Sequence, residues 1–152
     1  MKMTTPVGDF WLRANADGIT QSSFAPLTAD ENEETNPYLL QAKQELEEYF
    51  AGKRQRFSVP LTISTGTPFQ KEVWQALLDI PYGETRCYQE IAEMIQRPKA
   101  VRAIGQANRN NPLPILVPCH RVIGKNGKLT GYMGLSGIGI KEQLLALEKK
   151  SI

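Results

Sequence analysis

One histidine, His120, and two cysteines, Cys87 and Cys119, are the whole supply of those two zinc-binding residue types in these 152 residues. They fall short of the four ligands of a structural zinc site, so no metal is expected. Two cysteines make no disulfide framework either, and free thiols suit a reducing compartment. No apolar run approaches the roughly 20 residues that a membrane span needs. The opening MKMTTPVGDF has no apolar signal core, so the chain reads as cytosolic. There are no internal repeats, which excludes solenoids and propellers. A large excess of one charge is missing too, since the net charge is only +2.

What is present is globular. Apolar residues make up 41% and charged residues 22%, enough for one ordinary domain or two small ones. The charge is unevenly placed. Residues 1–66 carry 6 basic and 9 acidic side chains, residues 67–152 carry 12 and 7. A basic C-terminal half fits a polyanionic partner, although random scatter gives the same imbalance.

Residues 8–14 and 18–24 are short β-type stretches joined by Asn15-Ala16-Asp17-Gly18, whose Asp-Gly pair signals a hairpin. Residues 25–36 are polar and acidic, a loop. Pro37 opens a helix running to Phe50 on Leu39, Leu40, Ala42, Leu46, Tyr49 and Phe50, and Gly52 stops it. Residues 57–63 are a further strand candidate. Residues 1–64 thus read as a small α+β domain, a short antiparallel sheet plus a helix. A second domain, 65–152, begins with Thr67 as N-cap and Pro68 at the first helical position. Phe69, Val73, Trp74, Leu77 and Leu78 form its apolar face. Helices over about 87–96 and 99–108, joined at Arg97-Pro98, give a helix-turn-helix pattern. The last helix is predicted over 140–150, on Ile140, Leu144, Leu145 and Leu147.

Two constellations carry chemistry. In the third helix of this domain, Ala100, Ala103, Gly105 and Ala107 leave little bulk, with Arg102 the one long side chain at its middle. Such a surface fits close packing on another helix or close approach to DNA, and the helix-turn-helix favours DNA. The second is "PILVPCHRVI", residues 114–123. Prolines restrict this apolar segment, so it can hold one side chain in place. A thiol works as thiolate, which needs a base or a positive charge nearby. His120 is adjacent, but neighbours on an extended chain point to opposite faces, so direct contact with Cys119 needs a bend or a bridging water. An inert core thiol is the competing reading.

Pro118-Cys119-His120-Arg121-Val122, preceded by Asn111-Pro112-Leu113-Pro114, resembles the active-site signature of the methylated-DNA–protein-cysteine methyltransferases, which repair O6-alkylguanine. Thr67-Pro68-Phe69-Gln70, Pro81-Tyr82-Gly83-Glu84, Tyr88-Gln89-Glu90-Ile91-Ala92, Pro98 to Gly105, Gly131-Tyr132 and Lys141 to Glu148 extend the resemblance over about residues 65–149. It implies a mostly helical, winged-helix-like DNA-binding domain and an enzyme that moves the alkyl group onto Cys119 once, without cofactor. The implied partner is double-stranded DNA carrying O6-alkylguanine (and O4-alkylthymine), bound through the minor groove by a monomer with the damaged base flipped out. Arg102 matches the arginine that fills the vacated space, with Ala103 and Arg109 beside it on the DNA face. Tyr88 matches the tyrosine that assists flipping and hydrogen-bonds the base. His120 and Glu148 match a relay in which the carboxylate orients the histidine and the histidine draws the thiol proton through a water. Asn111 matches the residue bracing the active-site turn, and Tyr132, Met133, Pro114 and Val122 the base pocket. The loop after Tyr132 is longer than the family's compact glycine-rich turn, a departure that touches the choice of alkyl group. Cys87 reads as packing.

Two other classes fit parts of the pattern. A non-catalytic lesion sensor would share the fold but lack the cysteine. A hydrolase built on Cys119, His120 and Glu148 would turn over and need no DNA. The relay carries one further expectation, a Cys119 thiol pKa below the ordinary value of about 8.5.

Overall fold

The computed structural model describes residues 1–125, 127 and 138–150, with only the backbone of Ile138. The chain divides into two compact units, Met1–Thr65 and Gly66–Ile152. Among the described residues no helix is long and apolar enough to cross a membrane.

The first unit is a three-stranded antiparallel sheet carrying one helix. Strands β1 (Lys2–Thr5), β2 (Gly8–Ala14) and β3 (Ile19–Ser23) lie in that order, with Met3 opposite Phe10 and Leu12 opposite Ser22. Alternation places Phe10 and Leu12 on the covered face, where helix α1 (Pro37–Phe50) supplies Leu39, Ala42, Leu46 and Tyr49. Each such large apolar side chain contributes about 1.5–3 kcal/mol by leaving water. Asn36 starts α1, its Oδ1 accepting from the amides of Tyr38 (2.9 Å) and Leu39 (3.4 Å). The Asn15–Gly18 turn closes through the Asn15 side chain, which accepts from the amides of Asp17 and Gly18.

The sheet differs from the sequence reading in two places. β1 had no signal strong enough to stand out in the sequence. Residues 57–63 form no strand: beyond a single bridge between Ile19 and Leu61, the segment is held by Ile19 N donating to Pro60 O and Thr62 N to Ile19 O. Pro60 has no N–H with which to continue a ladder. The buried Glu45 carboxylate takes over part of that work, accepting from the amides of Ser58 (2.8 Å) and Val59 (3.1 Å).

The second unit opens with α2 (Pro68–Leu78). Thr67 caps it as the sequence predicts, and Gln70 reaches back to the Thr67 amide (2.9 Å) in a capping box. Gly66 precedes the cap at φ +99°, where a Cβ would lie 2.6 Å from the Trp74 ring, so glycine is required twice over. Helix α3 (Tyr88–Met94) is shorter than expected. Its end is a Schellman arrangement: Gln96 adopts φ +59°, Arg97 N donates to Ala92 O and Gln96 N to Glu93 O. That reversal leads to Pro98 and delays the next helix, α4 (Val101–Arg109), to Val101. The Trp74 indole donates to Ala107 O at 2.8 Å and ties α2 to α4. Two-residue strands β4 (Arg86–Cys87) and β5 (Val122–Ile123) pair in parallel, and α5 runs from Ile138 to Lys150.

Candidate active site

The segment ahead of Cys119 is folded back on itself, not extended. Leu116 N donates to Pro114 O (2.9 Å) across Ile115, which holds φ +71°, a conformation strained for a β-branched residue. Cys119 N donates to Val117 O (2.7 Å) across Pro118 at φ −79°, ψ 62°, an inverse γ-turn. Cys119–Arg121 then forms a single 3₁₀ turn. Asn111 braces this path: its Nδ2 donates to Val117 O (2.9 Å) and its Oδ1 accepts from Leu113 N (2.9 Å). The side chain also hydrogen-bonds the Cys119 sulfur. From α4, Asn108 Nδ2 donates to Cys119 O at 3.3 Å, so the helix that carries Arg102 is bonded directly to the Cys119 backbone.

Behind the turn lies a buried charged cluster. His120 Nε2 and Glu148 Oε2 are 2.6 Å apart, both residues wholly buried. Arg121 holds the same carboxylate in a fork, Nε to Oε1 at 2.8 Å and Nη2 to Oε2 at 3.1 Å. Its Nη1 donates to Ile80 O (2.8 Å), and its guanidinium lies 5.6 Å from the Tyr82 ring centroid. Gly83 N adds a longer bond to Glu148 Oε1 at 3.4 Å. Lys141, also buried, donates its Nζ to Val122 O.

These contacts set the protonation states. Burial pushes Glu148 up, but the His120 bond and the Arg121 fork outweigh it and bring the pKa down to about 2. Burial pulls His120 below its ordinary value against the opposing pull of Glu148, with Arg121 and Lys141 adding to the fall. The imidazole is therefore neutral at neutral pH. Opposite an ionised carboxylate Nε2 carries the proton, which leaves Nδ1 as the basic nitrogen. Nδ1 is buried and has no hydrogen-bond partner among the described residues. Burial also lowers Lys141 to about 8.

Cys119 departs from expectation. Burial drives the thiol up to about 11, more than the Asn111 bond and the Lys141 charge bring it down. The resting site holds a protonated thiol, not a preformed thiolate.

Of the residues singled out in the sequence, Cys119, His120, Asn111 and Glu148 are brought into this one assembly. Tyr88 comes close by topology, because pairing Arg86 with Val122 and Cys87 with Ile123 sets the start of α3 beside the Cys-His-Arg turn. A Cβ on Gly105 would lie 4.0 Å from the Tyr88 ring, so α4 presents its glycine to that ring. Arg102, Ala103 and Arg109 are exposed on α4. Pro114 and Val122 are buried, Val122 completely. Tyr132 and Met133 lie outside the described residues. Sequence reasoning missed Arg121, Lys141 and Asn108 as site residues. A signal existed for one of them: Lys141, Leu144 and Glu148 repeat at helical spacing, so a lysine and a glutamate occupy core positions of α5.

Fold and site together define a protein with a buried thiol, a carboxylate-held histidine and a helix-turn-helix in one unit. The family model described as "6-O-methylguanine DNA methyltransferase, DNA binding domain" matches residues 68–150, and its "ribonuclease-like domain" matches residues 2–63. The chain is 51% identical over 156 residues to the constitutive methylated-DNA–protein-cysteine methyltransferase of Bacillus subtilis, covering 97% of this chain and 93% of that one. It is 50% identical over 152 residues to the methylated-DNA–protein-cysteine methyltransferase of Methanosarcina acetivorans, with 95% and 94% covered. The structure of Mycobacterium tuberculosis OGT in complex with DNA superposes with a TM-score of 0.87 at 44% identity, over 99% of this chain and 92% of that one. This chain belongs to the 6-O-methylguanine DNA methyltransferase family.

Proposed function

We propose that the protein flips O6-alkylguanine (and O4-alkylthymine) out of duplex DNA and takes the alkyl group onto Cys119 in a single, irreversible transfer. Its family makes it a DNA-binding repair methyltransferase; the flipping, the single turnover and the residue roles are our reading. The observation that carries it is the 2.6 Å His120–Glu148 pair directly behind a buried Cys119.

In this reading His120 Nδ1 takes the thiol proton through a bridging water, and Glu148 stabilises the imidazolium that results. The thiolate attacks the O6-bound carbon: the S–C bond forms, the C–O6 bond breaks, and the electron pair goes to the purine. The Tyr88 hydroxyl donates toward N3 as that charge develops. Arg102, from the exposed side of α4, fills the space the base leaves in the minor groove. Tyr132, Met133, Pro114 and Val122 would form the base pocket, with Ala103 and Arg109 on the DNA face. A thioether has no leaving group for a second step, so each molecule acts once. It acts as a monomer in a reducing cytoplasm, with residues 1–64 and 65–152 as its two domains.

The test is intact-protein mass after mixing with an O6-methylguanine duplex. One added methyl on Cys119, and then no further reaction, is expected. A methyl on Cys87, or several lesions repaired per molecule, would refute the reading.

A further inference from the structure

Glu148 Oε2 accepts from two groups at once, His120 Nε2 at 2.6 Å and Arg121 Nη2 at 3.1 Å. A carboxylate facing an imidazole pulls the ring toward its protonated form, and in this site burial opposes that pull. A protonated ring has no lone pair for the thiol proton. Arg121 changes that balance. Its two-bonded fork already supplies the carboxylate with a full positive charge, and a third bond, to Ile80 O, fixes the guanidinium. Among the described residues, the charged groups that act on the imidazole are Glu148 and Lys141 from α5 and Arg121 from its own turn. Arg121 is bonded to the carboxylate that the ring uses, and the Lys141 ammonium donates to Val122 O.

We infer that Arg121 is a positioning residue for alkyl transfer: by sharing Glu148 with His120 it helps burial keep the imidazole neutral in the resting site, with Nδ1 ready to accept the thiol proton. The inference rests on the reading of Cys119 as acceptor and His120 as its base. It assigns opposite duties to the two groups that hold Glu148. The carboxylate makes the ring a stronger base, and the guanidinium limits that strengthening so that the ring is not already spent at working pH.

His120 is the only histidine in the chain, so its ring resonances are assigned without mutagenesis. The ring is titrated by NMR in wild type, Arg121→Gln and Arg121→Lys, and single-turnover methyl transfer is followed across pH in the same proteins. In Arg121→Gln the ring midpoint rises by about one pH unit, since a neighbouring full charge is worth about that much or more. The acid limb of the rate profile moves with it, lowering transfer about tenfold at any pH below both midpoints. Arg121→Lys keeps the charge and loses the fork, so it restores the wild-type midpoint while its plateau rate stays lower. A folded Arg121→Gln protein with the wild-type midpoint overturns the inference. If Arg121→Gln does not fold, Arg121→Lys decides: an unchanged midpoint supports the inference, and a midpoint raised by about a unit despite the retained charge overturns it. Wild type that gains no methyl on Cys119 would instead sink the underlying reading, which the ring titration does not depend on.

Discussion

Replacing Glu148 by Gln and His120 by Asn should order the two variants differently in rate and in stability. Glu148 is fully buried and accepts from His120, twice from Arg121, and from Gly83. The amide of Glu148→Gln would keep the shape but leave the Arg121 guanidinium buried without a counter-charge. Breaking one partner of a buried pair costs about 3–5 kcal/mol, or a fall in melting temperature of roughly 10 °C in a chain of this size. His120→Asn removes a neutral ring and leaves the Arg121–Glu148 pair intact, so its stability loss should be about 1–3 kcal/mol, that of an unpaired polar group and a small cavity. Rates should run the other way. Without His120 the base is gone, which general-base catalysis values at about 100-fold or more. In Glu148→Gln the ring is still oriented by a neutral acceptor, and the loss is that of charge assistance, roughly tenfold. The double variant should transfer methyl little more slowly than His120→Asn alone, because the two groups act as one unit. Single-turnover rate and melting temperature are measured on all four proteins. Additive rate losses, or a Glu148→Gln protein that melts with wild type, would refute this account of the cluster.

Arg102→Ala should reduce transfer from an O6-methylguanine duplex by an order of magnitude or more while sparing transfer from a free O6-alkylguanine base, since an exposed residue on α4 serves the duplex and not the thiol; equal losses on both substrates would count against it. Iodoacetamide at neutral pH should label Cys87, which is partly exposed, well before Cys119, which is buried with its thiol pushed up to about 11; peptide mapping with Cys119 labelled first would contradict the burial argument. Glu148, depressed to about 2 from an ordinary value near 4.5, adds stability that is present above pH 4.5 and is lost as pH falls toward 2. Acid unfolding of Glu148→Gln should therefore show a flatter pH dependence over that interval than wild type.

Periodicity and capping made the helices legible. Thr67 with Pro68 placed the start of α2, and Pro37 to Phe50 reads as one helix on its apolar spacing alone. Where tertiary contacts decide, the sequence reading failed. The pairs Arg86–Val122 and Cys87–Ile123 join segments far apart in the chain, and two-residue strands carry no periodicity to detect. Residues 57–63 have β-type composition, but Pro60 and the Glu45 carboxylate made them a bracketed segment instead of a strand. Cys119 and His120 stood out because a polar triplet ends an apolar run. Arg121 and Lys141 did not, because a charged residue is ordinarily read as solvated, and only the full set of partners shows why burying these two is tolerable. The pKa of Cys119 could not be read from neighbours in sequence at all. It follows from desolvation, which belongs to the packed fold.

That raised pKa bears on what the proposed single-use site would require. With burial pushing the thiol up to about 11, the thiolate is a trace species at neutral pH. For a thiol that turns over, this would be a standing loss of rate. For a thiol consumed by its first alkylation, each encounter with a stray electrophile or oxidant is a permanent loss of the protein, so a low resting reactivity has a use. The cost falls on activation, and the buried cluster answers it: a neutral ring with its basic nitrogen free of described partners, a carboxylate to stabilise the ring once charged, and the Lys141 cation in electrostatic reach of the sulfur. In the proposed reaction the thiolate then need exist only while the proton sits on His120 and the alkyl carbon is at hand. A surface cysteine made reactive by a permanently lowered pKa could not make that separation between rest and reaction.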